Sequence, residues 1–149
     1  MVLGGWQTNG FVTAQTGVPF TPTLQTTTVN TGTGSRPNCV GSGALSSGQS
    51  ITNWFDVTAF VPPPAYTYGN CGRNILFGPG RVNLDLSLFK EFHPAGEWMK
   101  MQFRAEALNA FNRVQFSSPN TSVTSSSFGR VTAQANTPRQ VQFGLKFMW

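Results

Sequence analysis

The sequence predicts an all-β fold: about four antiparallel strands of transmembrane type, forming part of the wall of a large β-barrel, with long extracellular loops. Three observations carry that expectation. Four segments alternate apolar and polar residues with period two, which gives a strand two unlike faces. The connections between them differ greatly in length. The 149-residue chain also has only 10% charged residues beside 13% aromatic ones, where an ordinary soluble domain carries roughly 25% charged.

The first strand is expected near residues 4–16. Trp6, Thr8, Gly10, Val12 and Ala14 take one face, and Gln7, Asn9, Phe11, Thr13 and Gln15 the other, the weakest of the four patterns. Residues 81–92 alternate more cleanly, with Val82, Leu84, Leu86 and Leu88 against Arg81, Asn83, Asp85, Ser87 and Glu91. Residues 98–111 set Met99, Met101, Phe103, Ala105 and Ala107 against Lys100, Gln102, Arg104 and Glu106. Residues 139–149 set Val141, Phe143, Leu145, Phe147 and Trp149 against Gln140, Gln142, Gly144 and Lys146. A helix would scatter each polar set around its cylinder, whereas a strand gathers it on one side. Only Arg104-Ala105-Glu106-Ala107-Leu108 has real helical propensity, and a short helix there is the local alternative.

His93-Pro94-Ala95-Gly96 reads as a tight turn. Residues 17–80 and 112–138 read as long loops rich in Ser, Thr, Gly and Pro, far beyond the usual length in compact domains. In an up-and-down arrangement both long loops fall at one end of the strands and the short turn at the other. Strands of about ten residues with one apolar face, short turns on one side and long loops on the other describe a membrane-spanning β-wall. Trp6, Phe92, Trp98 and Trp149 then share one edge, where aromatic rings suit a membrane interface, while Phe20, Phe77 and Phe111 lie nearer the other. The competing architecture is a secreted β-sandwich ligand-binding module, whose apolar faces would meet in a core.

Catalysis has little to draw on, and the chain is expected not to be an enzyme. His93 is the single histidine and sits in the tight turn; Asp56, Asp85, Glu91, Glu97 and Glu106 show no metal-ligand spacing. Gly78-Pro79-Gly80 lacks the following helix and Lys-Ser/Thr of a phosphate loop. No cofactor and no metal are expected. The net charge of +5 is scattered, so nucleic acid is not an expected partner. No run of 18 apolar residues predicts a spanning helix. Residues 1–6 lack the basic start and apolar core of a signal peptide, so an export signal is expected upstream.

Several motifs together resemble the Oar-like TonB-dependent outer-membrane receptors. Gly5-Trp6-Gln7, then Gln15-Thr16-Gly17-Val18-Pro19-Phe20-Thr21, resembles the strand entry of those barrels. Gly69-Asn70-Cys71-Gly72-Arg73-Asn74, Gly78-Pro79-Gly80 and Asn83-Leu84-Asp85-Leu86-Ser87-Leu88-Phe89-Lys90 resemble the penultimate strand region. Phe103-Arg104-Ala105-Glu106-Ala107-Leu108-Asn109-Ala110-Phe111-Asn112 with Gln115-Phe116 resembles the next strand. Phe128-Gly129-Arg130-Val131 and Arg139-Gln140-Val141-Gln142-Phe143-Gly144-Leu145-Lys146 resemble the last. Gly144, Phe147 and Trp149 are similar to the terminal signal read by the barrel-assembly machinery. Phe143 stands where a polar residue usually precedes that glycine, and Trp149 where Phe usually ends the chain.

The resemblance implies a barrel of about 22 strands around a plug, located in the cell outer membrane. It makes residues 1–149 a C-terminal fragment of that receptor, since four strands do not close. The implied partners are outer-membrane lipid and lipopolysaccharide, the remaining strands and plug, and the barrel-assembly machinery. Asp85, Lys100, Arg104, Glu106 and Lys146 are expected to face the lumen, with Asp85–Arg104 and Glu91–Lys100 as cross-strand pairs. Arg36, Arg73, Arg113 and Arg130 are expected in the outer loops, facing a ligand or anionic lipopolysaccharide. Cys39 and Cys71 are expected to form a disulfide, which an exported compartment permits, free thiols being the alternative.

Overall fold

The structure, a computed structural model, describes residues 4–26, 28–29, 35–94 and 96–149, and for Glu97 the backbone alone. The expectations placed on residues 1–3 and on Ala95 lie outside them. The described residues form, in chain order, the strands β1 (Trp6–Gln15), β2 (Pro19–Phe20), β3 (Asn38–Cys39), β4 (Phe60–Val61), β5 (Leu76–Phe77), β6 (Arg81–Phe92), β7 (Lys100–Leu108) and β8 (Gln140–Met148). Single turns of 3-10 helix occupy Val57–Ala59 and Gly96–Trp98. The chain divides into two compact units, one of Met1–Gln15, Arg81–Gln115 and Asn136–Trp149, the other of Thr16–Gly80 and Phe116–Ala135.

The first unit is a single antiparallel sheet in the order β1-β6-β7-β8. Trp6 lies opposite Lys90 and Gln15 opposite Arg81; Leu86 faces Ala107 and Phe92 faces Met101; Lys100 faces Met148 and Leu108 faces Gln140. The short connection from Phe92 to Lys100 therefore stands at one end, and both long connections leave from the other. Arg104–Leu108 is strand, not helix: its apolar members Ala105 and Ala107 lie opposite Leu88 and Leu86, and this two-sided fit overrides local propensity. The third strand begins at Lys100 rather than 98, because Gly96–Trp98 spends those residues on a helical turn. It stops before 109, where Asn109 and Asn112 both take φ 51° and end the extended run.

One face of the sheet carries Val12, Leu84, Leu86, Leu88, Phe103, Phe143, Leu145 and Phe147, and the other carries most of the polar side chains. The apolar face is uncovered: Val12 is 64% exposed and Phe143 72%. A sandwich would bury such a face against a second sheet. A lone four-stranded sheet exposing it to water would lack a core.

The second unit does have a core. Phe55, Ala59, Phe60, Cys71 and Leu76 are buried together, with Phe20, Trp54 and Phe128 packed against them. Phe55 meets Phe60 and Phe128 edge-on, with centroids 5.6 and 5.1 Å apart, a favoured arrangement for aromatic rings. Residues expected as two open loops thus fold as one structured unit. Phe20, expected at a membrane edge, instead lies 5.7 Å from Phe55; ring burial outweighs an exposed position.

Candidate functional site

The sheet offers two unlike surfaces and two rims. At the rim nearest the short connection stand Trp6, Phe92, Trp98 and Trp149: Trp6 and Phe92 at strand ends, Trp98 just before β7 and Trp149 just after β8. Lys90 stands among them on the apolar face. Its ammonium is 4.9 Å from the Trp6 ring centroid and 5.6 Å from that of Phe92, and it donates to the Gly4 carbonyl. The residue is 3% exposed, so the rings and carbonyl take the place of water around the cation. The alternation Leu86, Leu88, Lys90, Phe92 was the available signal for this residue, since an even position in that run shares the apolar face.

The opposite face carries Asp85, Lys100, Arg104, Glu106 and Lys146. Lys100 pairs with Glu91 at 2.9 Å, and Gln102 Nε2 donates to Glu91 at 3.3 Å. Gln142 donates to Glu106, and Lys146 lies opposite Gln102. Asp85 and Arg104 do not pair. Arg104 lies opposite Phe89 and its guanidinium sits 4.9 Å from that ring, while Asp85 accepts from Asn83 Nδ2 at 2.9 Å and from the Asn109 amide at 2.8 Å. The hairpin is centred at Gly96–Glu97, two residues past Pro94–Ala95. This keeps every residue on its face but moves each partner along the strand. Gly144 lies opposite Arg104.

At the far rim a set of side-chain amides finishes the sheet. Asn109 Nδ2 donates to the Arg113 and Thr137 carbonyls at 3.1 and 3.2 Å, and Asn109 Oδ1 accepts from the Arg113 amide at 2.9 Å. Asn136 Oδ1 accepts from the Gln115 amide at 2.8 Å, and Asn112 Oδ1 from the Arg139 amide at 3.0 Å. Buried backbone groups require such partners where a ladder ends. The sequence placed Asn109 inside the strand expected over 98–111 and Asn112 and Asn136 in the following long loop, with no sign of these bonds.

In the second unit a disulfide joins Cys39 to Cys71, with Cα atoms 5.0 Å apart. Asn70 Oδ1 accepts from the Cys39 amide at 2.7 Å, Asn38 Oδ1 from the Asn70 amide at 3.0 Å, and Arg36 donates to the Cys71 carbonyl at 2.9 Å. Arg36 is exposed like Arg73, Arg113 and Arg130, but its guanidinium is engaged within the fold. A shallow groove of about 510 Å³ is lined by Thr52, Asn53, Phe60, Ser125, Phe128 and Arg130 among others. It mixes rings, hydroxyls and one cation, a lining suited to holding a polar ligand. Phe77 and Phe111 are exposed. Among the described residues no three His, Cys, Asp or Glu side chains are grouped to hold a metal ion, and no helix is long and apolar enough to cross a membrane, which says nothing of strands.

An uncovered apolar face on strands of 9–12 residues, an aromatic rim and an up-and-down order define one segment of a membrane β-barrel. The comparison with known families agrees: the model of the outer membrane beta barrel domain matches residues 1–142, and the chain belongs to that family. Its place is the cell outer membrane. No curated protein and no solved structure matches the chain.

Proposed function

We propose that the chain forms the C-terminal wall of an Oar-like TonB-dependent receptor that takes up a bulky substrate and performs no chemistry on it. The observation that carries this reading is the sheet itself: apolar and uncovered on one face, polar on the other, with β1 and β8 as its edge strands among the described residues. Open edges are not tolerated in hydrocarbon, so further strands must pair with β1 and β8. The apolar face meets lipid, and Asp85, Lys100, Arg104, Glu106 and Lys146 face a lumen that holds a plug. Gly144, Phe147 and Trp149 serve the barrel-assembly machinery. The disulfide-bound second unit lies outside the cell and presents the Arg130 groove to ligand.

Outer-membrane fractions of cells carrying the full-length protein test this reading. Its band should shift with heating before electrophoresis, and substrate uptake should stop when TonB is removed while surface binding persists. A chain that purifies as a soluble monomer without detergent overturns the membrane wall. Uptake that continues without TonB overturns the receptor reading and leaves the barrel standing.

A further inference from the structure

The groove beside Arg130 belongs wholly to the second unit and lies between two stretches, residues 51–60 and 123–131. The Trp54 amide donates to the Gly129 carbonyl at 2.9 Å and the Val131 amide to the Ile51 carbonyl at 2.8 Å, which ties the stretches together. Gly129 permits their approach: it takes φ 78°, and a Cβ there would lie 2.5 Å from Val57 Cγ1. Of the lining, Val57, Phe60, Val123 and Phe128 are buried or half-buried, while Thr52, Asn53, Thr58, Ser126 and Arg130 are exposed. The groove is therefore apolar below and polar along its edge. Phe128 meets Phe60 edge-on, with centroids 6.1 Å apart, so the apolar part is built from the core and stands ready before a ligand arrives.

The polar edge both donates and accepts. Thr58 gives its hydroxyl proton to Asp56 Oδ1 at 2.6 Å, which leaves only its lone pairs for a ligand. The side chains of Asn53 and Ser126 make no hydrogen bond among the described residues, and the Arg130 guanidinium has neither hydrogen bond nor ion pair there. No carboxylate lines the groove, and Asp56, the nearest along the chain, is held by the Thr58 hydroxyl and amide. A phosphate, which only accepts, would leave Thr58 facing oxygen lone pairs. An extended peptide needs a strand edge, whereas apart from Phe60 the lining comes from turns and the Val57–Ala59 helical turn. A pyranose ring meets both demands: its C–H faces suit an apolar surface, and its hydroxyls donate and accept. The guanidinium adds a demand for a carboxylate on that ring.

We infer that this groove binds an acidic oligosaccharide, with a uronate carboxylate on Arg130, ring hydroxyls on Asn53, Thr58 and Ser126, and a sugar face over Val57 and Phe128. The inference names the substrate class for the groove that the receptor reading presents to ligand, and it rests on that reading. The volume of about 510 Å³ lies within the range of ligand clefts. An uncharged sugar gains the hydroxyl contacts and forgoes the guanidinium, so charge is what the site selects.

The full-length protein in mild detergent is titrated calorimetrically with trimers of galacturonate, glucuronate and mannuronate, each beside the same trimer with its carboxyls reduced to alcohols. At least one acidic trimer should bind about tenfold more tightly than its reduced form, and the advantage should shrink as salt rises. Arg130→Gln should remove that advantage and leave the reduced trimer's affinity unchanged, while Arg130→Lys should keep part of it. Ser126→Trp, which crowds the groove edge, should weaken both trimers. Protease resistance of residues 35–80 shows which variants keep the second unit folded. A folded Arg130→Gln variant that binds the acidic trimer like the wild type overturns the inference. Equal binding of acidic and reduced trimers, weakened by Ser126→Trp, overturns it but keeps the groove as the ligand site, and binding of neither trimer overturns both. If no variant folds, the wild type decides alone: preference for an acidic trimer supports the inference, and its absence overturns it.

Discussion

Gln115 takes the place of a neighbouring strand for Val82: the Val82 amide donates to Gln115 Oε1 at 3.1 Å, and Gln115 Nε2 donates to the Val82 carbonyl at 2.5 Å. β7 leaves the ladder at Leu108, and the Ala110 amide still reaches the Leu84 carbonyl at 2.8 Å. Two residues further along β6 no strand remains on that side, and a primary amide has the donor and acceptor that a peptide would have supplied.

Gln115→Ala should therefore destabilise the barrel by about 1–3 kcal/mol, the usual cost of leaving a buried polar group without a partner. Gln115→Glu keeps the acceptor and loses the donor, so it should fall between wild type and alanine. The temperature at which the folded band disappears in electrophoresis orders the three. Equal temperatures for all three would show that water replaces the amide without loss.

The second unit should depend on its disulfide far more than the sheet does. Cys39 and Cys71 are 32 residues apart in sequence, and closing such a loop restricts the unfolded chain by roughly 3–4 kcal/mol in the chain-entropy treatment. Reduction, or Cys39→Ala with Cys71→Ala, should expose sites within residues 35–80 to protease while the barrel remains heat-modifiable. Proteolysis unchanged by reduction would mean that the Phe55 cluster and the Asn38–Asn70 bonds hold the unit without it.

Period-two alternation records which face a residue takes, but not its partner across the strand. That is why the apolar and polar sets were legible in the sequence while the Asp85–Arg104 pairing was not: moving the centre of the hairpin by two residues preserves every face and takes Arg104 away from Asp85, while Glu91 and Lys100, diagonal neighbours near the turn, still meet. The second unit was illegible for another reason. Phe20, Phe55, Phe60 and Phe128 come from stretches with no common period, and only the folded chain brings them together. Asn109 read as part of a strand, and Asn112, Gln115 and Asn136 as ordinary loop, because nothing in the sequence shows which backbone groups a turn leaves unpaired.

Lys90 should report the cost of a cation at the aromatic rim. Lys90→Met keeps the length of the side chain and removes the charge, losing the attraction to Trp6 and Phe92, worth about 0.5–2 kcal/mol. Lys90→Arg should retain most of that stability, because a guanidinium also lies well on an aromatic face. Thermal loss of the folded band measures both. Greater stability in the methionine variant would show that lipid accepts the apolar chain more readily than the rings accept the ammonium.

Two glycines separate folding from assembly. A Cβ on Gly17 would come within 1.8 Å of the Gly78 carbonyl oxygen, so Gly17→Ala forces the backbone apart, and the second unit should lose its protease resistance. A Cβ on Gly144 would meet nothing closer than the Arg104 Cβ at 3.8 Å, an ordinary contact, and a residue in the middle of β8 has no conformational need for glycine. The sheet therefore gives no reason for glycine at this position. Gly144→Ala should leave the thermal stability of barrels that do form within about 0.5 kcal/mol of wild type, while the amount reaching the outer membrane falls several-fold if residues 144–149 are read as a signal. Quantifying folded protein in membrane fractions beside its thermal midpoint tests both statements in one preparation. Normal amounts with normal stability would remove Gly144 from the signal, and a lowered midpoint would return it to the fold.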